Sequence, residues 1–133
     1  MGQLQSQVLE KVSGPAWDQI RPAFLQVNDA LLAVGPETRG QLTTIYVKYT
    51  TTPAATEVYA VVWIKTSKQI VVGLALPESV EDGGLGNRPA GTRYKGLTKY
   101  FVLRPGDAVP ERLHEWARAA YEHVRGNAPA LKG

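Results

Sequence analysis

The sequence contains no cysteine, only two histidines, and no apolar stretch approaching the length of a membrane span. The missing cysteine excludes a disulfide scaffold, thiolate metal sites and a cysteine nucleophile. His114 and His123 lie nine residues apart, two and a half turns and so about 180° off one another on a helix, and they do not form a metal-binding pair. Glu111 and Glu115 lie near His114, but such spacing normally marks a solvated helix face. No His-Glu-x-x-His and no Gly-x-Ser-x-Gly occurs. No nucleophile–base pair with a third orienting group is visible, so an enzyme is not expected, and no cofactor or metal site is called for. The opening Met1-Gly2-Gln3-Leu4-Gln5-Ser6 lacks the basic stretch and apolar run of a secretory leader. A cytoplasmic location without membrane association is the expectation.

Acidic residues are scarce in one region. Between Arg39 and Arg104 there are nine Lys or Arg against four Asp or Glu. From Arg88 to Arg104 five are basic and none is acidic. Such a stretch fits an anion or nucleic-acid footprint. It also fits a solvated loop and a strand edge protected by lysine.

What is present is ordinary globular composition, 44% hydrophobic and 20% charged over 133 residues. Apolar spacing over Leu4, Val8, Leu9 and Val12 predicts a short helix. A second helical pattern follows Pro15 through Trp17, Ile20, Phe24, Val27, Leu31 and Val34. Pro22 is expected to kink or divide it. Thr43–Thr50, Glu57–Lys65, Gln69–Leu76 and Thr98–Leu103 read as four strands. A glycine-rich segment over 78–92 separates the last two, a candidate lid. It holds Gly83-Gly84-Leu85-Gly86 but lacks the Gly-Lys-Ser/Thr ending of a phosphate loop. Pro110 opens a final helix with Leu113, Trp116, Ala117, Ala120 and Val124 on one stripe.

The expected fold is α+β in the order α-α-β-β-β-β-α. It has a single four-stranded, mainly antiparallel sheet, flanked on one face by the N-terminal helices and the C-terminal helix. Residues 1–14 read as a helical extension, 15–126 as one domain and 127–133 as a frayed tail. Alternation puts Ile45, Val47, Val58, Val62, Ile70, Val72 and Leu74 toward the helices, with Phe101 and Leu103. It puts Tyr46, Lys48, Tyr59 and Trp63 opposite, with a shallow depression at Gly73 and Ala75. With Arg88, Arg93, Tyr94, Lys95 and Lys99, this second face is the candidate binding surface. It can stack bases of a nucleic acid, cradle a flat small molecule under the 78–92 segment, or bury itself against a protein partner or a second copy.

The four strand runs, with Gly91-Thr92-Arg93-Tyr94-Lys95-Gly96 before the last and a closing helix ending Ala119-Ala120-Tyr121-Glu122, resemble the DUF5655 family over roughly residues 17–125. That family usually carries a Trp-Gly-Asn-Gly-Asp-like motif where this chain has Tyr94-Lys95-Gly96-Leu97-Thr98. The element order is also similar to DUF1801 (YdhG-like) and YjbR-like domains, the latter resembling a DNA-binding fold. The resemblance implies an α+β domain and assigns no activity.

Overall fold

A computed structural model describes residues 3–4, 6–35, 37–43, 45–52, 57–77, 79–80, 84–86, 89, 92 and 94–127. The expected tail lies outside them beyond Asn127, as does much of the expected 78–92 lid.

The N-terminal half forms β1 (Gln3–Leu4), α1 (Ser6–Lys11), a 3-10 turn (Pro15–Trp17) and α2 (Arg21–Leu32). Pro22 divides the helical pattern as its chemistry requires. It sits at the start of α2, where the missing N–H has no helical acceptor to lose. Arg21 ties α1 to α2: its Nε donates to the Val12 carbonyl (2.6 Å) and its Nη2 to the Gly14 carbonyl (2.8 Å). Two orphan carbonyls beyond α1 are thereby satisfied.

The sheet follows as β2 (Arg39–Leu42), β3 (Tyr46–Thr50), β4 (Val58–Thr66), β5 (Gln69–Leu74) and β6 (Lys99–Leu103), and α3 (Leu113–Asn127) closes the chain. The expectation of four strands is corrected to a five-strand antiparallel meander, β2–β6, with two-residue β1 added in parallel along β2. The first expected strand is in fact a hairpin. The chain reverses between Thr43 and Tyr46, where the Thr43 N–H donates to the Tyr46 carbonyl (2.8 Å).

One face of the sheet is sealed by the helices. Val8 and Val12 of the α1 region, Phe24, Val27 and Leu31 of α2, and Leu113, Trp116, Ala117 and Ala120 of α3 share a core with Val47, Val62, Ile70, Val72, Leu74, Phe101 and Leu103. Two expected members of that core lie elsewhere. Ile45 packs on the second face, because the turn at 43–46 resets the alternation. Val58 does too, because a β-bulge intervenes: Tyr49 pairs with Ala60 and Thr50 with Val58, leaving Tyr59 as the extra residue.

The bulge turns Tyr59 inward, so its expected place opposite the helices is also corrected. Tyr59 is fully buried and its hydroxyl donates to the Leu31 carbonyl. Beside it the Tyr49 hydroxyl donates to Asn28 Oδ1 (2.9 Å). Both tyrosines hold their phenol protons well above the ordinary range, chiefly because burial disfavours the phenolate. Tyr121 of α3 meets the Tyr59 ring edge-on at 5.7 Å. Its hydroxyl closes onto Gly35, where a Cβ would lie 2.7 Å from that oxygen.

Candidate binding face

Strand register settles which side chains share the second face. Gln41, Lys48, Val61, Gly73 and Tyr100 form one cross-strand row. Tyr46, Trp63, Val71 and Val102 form the next. The sequence-derived residues Tyr46, Lys48 and Trp63 are therefore neighbours. Tyr94 joins them from the segment before β6.

Four rings run across this face in a chain. Tyr94 meets Tyr46 edge-on at 5.6 Å, Tyr46 meets Trp63 at 5.8 Å, and Trp63 meets Tyr100 at 6.3 Å. Contacts of this kind contribute about 0.5–1.5 kcal/mol each beyond their burial. The row is mostly closed to solvent, with Trp63 and Tyr100 each only 3% exposed. Leu97 helps to cover it, and Gly86 blocks the adjoining strand edge. Leu97 fills the hollow over Gly73, where an added Cβ would stand 2.7 Å from Leu97 Cδ1. Gly86 pairs with Tyr100 along the outer edge of β6, donating to its carbonyl (2.7 Å) and accepting from its N–H (3.1 Å). Thr98 anchors the return into β6: its hydroxyl donates to the Leu76 carbonyl (2.6 Å) and accepts from the Leu76 N–H (3.1 Å).

Among the described residues, one basic corner of this face stays partly open. Tyr46, Lys48 and Tyr94 are half-buried and Lys95 is exposed. Burial and the neighbouring Tyr46 raise the Tyr94 phenol above its ordinary range. Arg39 and Gln41, half-buried on β2, border the same side. The strands β2–β6 contain no acidic residue, while Arg39, Lys48, Lys65 and Lys99 are basic.

The other candidates do not all gather here. Lys99 lies in register with Leu74, and therefore on the helix-facing side with Phe101 and Leu103. Tyr59 is in the helix-facing core. Arg88 and Arg93 lie outside the described residues. Sequence reasoning missed Tyr100, Leu97 and Arg39. Alternation from Phe101, already placed inward, points Tyr100 to the second face, whereas nothing local marks Leu97 as a cover.

Fold and face together define an α+β domain with an antiparallel sheet. Among the described residues, its second face is largely covered by the chain's own return to β6, and a basic corner stays partly open. No family model, curated protein or solved structure matches the chain. Among the described residues no helix is long and apolar enough to cross a membrane. Among them, too, no group of three His, Asp or Glu is placed to hold a metal ion.

Proposed function

We propose that this chain is a non-enzymatic binding module for a polyanion, nucleic acid first, and that the resemblance to DUF5655 domains reflects a shared architecture. The observation that carries the reading is the open corner: Lys48 beside the half-buried Tyr46–Tyr94 pair, with Lys95 adjoining, on strands free of acidic residues. Phosphate groups suit the cations, and the edges of the two tyrosines offer room for one base or sugar. Extended stacking is not part of the proposal, because Trp63 and Tyr100 are covered within one copy. The same covering accounts for the aromatics without a second chain laid on the face.

The test is fluorescence anisotropy with single- and double-stranded oligonucleotides at several salt concentrations. Binding should weaken steeply with salt, and Lys48→Glu should flatten the log–log slope by about one phosphate contact. Absence of binding at low ionic strength would sink the proposal.

A further inference from the structure

The helical side carries a feature with the opposite electrostatic character. A groove runs between the outer stripe of α2 and the segment that leads from β6 into α3. It consists of two hollows of about 480 and 300 Å³ that share Gln26 and Val109. Ala30, Ala33 and Val109 supply an apolar lining. Asp29 and Glu111 stand at the wider hollow and Asp107 at the narrower, where its carboxylate also accepts from the Arg104 N–H (2.8 Å). Among the described residues no Lys or Arg lines either hollow, and His114 lines the wider one.

We infer that this groove docks an extended peptide segment that is basic and apolar in alternation. Length argues for a peptide. From Pro22 to Ala33 the α2 stripe spans eleven residue steps, about 16 Å, which matches about five residues of extended chain. Composition argues for alternation, since an extended segment turns successive side chains to opposite sides: apolar ones into the groove, the others toward its acidic rim. Charge argues for a cationic occupant, because three carboxylates, with no Lys or Arg beside them among the described residues, repel an acidic one and favour Lys or Arg. The site is independent of the polyanion corner, which lies across the sheet.

The probe is a labelled eight-residue peptide alternating lysine and leucine, with a glutamate–leucine peptide as control, titrated by anisotropy into the full chain. The lysine peptide should bind and the control should not. Asp29→Lys combined with Glu111→Lys should weaken binding at least tenfold, as should Ala33→Trp, which obstructs the groove. All three positions are exposed, so circular dichroism should stay unchanged. Lys48→Glu should leave this affinity untouched while impairing oligonucleotide binding, which separates the two readings. No binding of the lysine peptide at millimolar concentration overturns the inference. Equal binding of both peptides, or indifference to both groove variants, does so too. Displacement by an equal concentration of spermine would show that charge alone is recognised and would overturn the peptide assignment.

Discussion

Replacing Gly73 by alanine tests whether the second face is packed shut by Leu97. The new Cβ would lie 2.7 Å from Leu97 Cδ1 and 2.8 Å from Tyr100 Cε2. Carbon atoms rest at about 3.5–4.0 Å, so a shift of roughly 1 Å is demanded of both neighbours. The Tyr100 backbone is held by β5 on one side and Gly86 on the other, so Leu97 yields more readily than the Tyr100 ring. Overpacking of this kind costs about 1–3 kcal/mol. Relief of glycine's backbone entropy within a strand offsets about 0.5–1 kcal/mol. The net expectation is a loss of about 1 kcal/mol, or roughly 3–5 °C in Tm for a domain of this size. The decisive measurement is a double-mutant cycle with Leu97→Ala, followed by urea denaturation. Once the leucine is trimmed, Gly73→Ala should cost less, with the contact to the Tyr100 ring remaining, giving a favourable coupling of about 1 kcal/mol. Additivity within about 0.3–0.5 kcal/mol would mean that Leu97 does not sit over Gly73 in solution, and the closed face would be refuted.

At Gly35 the obstacle is the rigid end of a ring: Gly35→Ala meets the Tyr121 hydroxyl and should lower stability by about 1–3 kcal/mol, and Tyr121→Leu in the same chain should recover part of the loss. Tyr49→Phe leaves Asn28 Oδ1 without its donor in a buried setting and should cost about 1–3 kcal/mol by thermal melt; a neutral result would mean that water reaches Asn28. Alkali should unfold the protein. The unfolded chain releases its tyrosine protons near the ordinary value of 10.0, while Tyr49 and Tyr59 keep theirs well beyond it when folded. Their stabilisation is therefore complete below pH 10 and falls as pH rises, by about 1.4 kcal/mol per pH unit for each. Tyrosinate absorbance and ellipticity should change together, and ionisation of all six tyrosines without loss of ellipticity would contradict the buried placement.

Much of this architecture is legible in the residues, and the failures have specific causes. The β4–β5 hairpin and α3 follow from runs of β-branched residues and from a clear apolar stripe. The turn at 43–46 escapes notice because threonine and isoleucine carry none of the usual turn chemistry. β2 escapes because Arg-Gly-Gln-Leu is short and polar, with neither alternation nor β-branched residues to mark it. The bulge is the costliest miss: Val58, Tyr59 and Ala60 all suit either face, so alternation alone cannot reveal one extra residue. Of the candidate site, the cross-strand neighbours Tyr46, Lys48 and Trp63 are legible from the period of two. The cover is not, since Leu97 and Gly86 are remote from the strands they close and no local pattern ties them there.

The return from β5 to β6 has a consequence for how this protein would fail. Gly86 occupies the outer hydrogen-bonding groups of Tyr100, and Tyr94 and Leu97 cover the aromatic row, so one stretch of chain guards both a strand edge and an apolar surface. A local opening that lifts this stretch bares the two together. The resulting species would present a template for strand addition and a greasy surface to hold the incoming chain, the pairing that seeds aggregation. Solubility under stress therefore depends on how firmly this single return stays closed as well as on global stability.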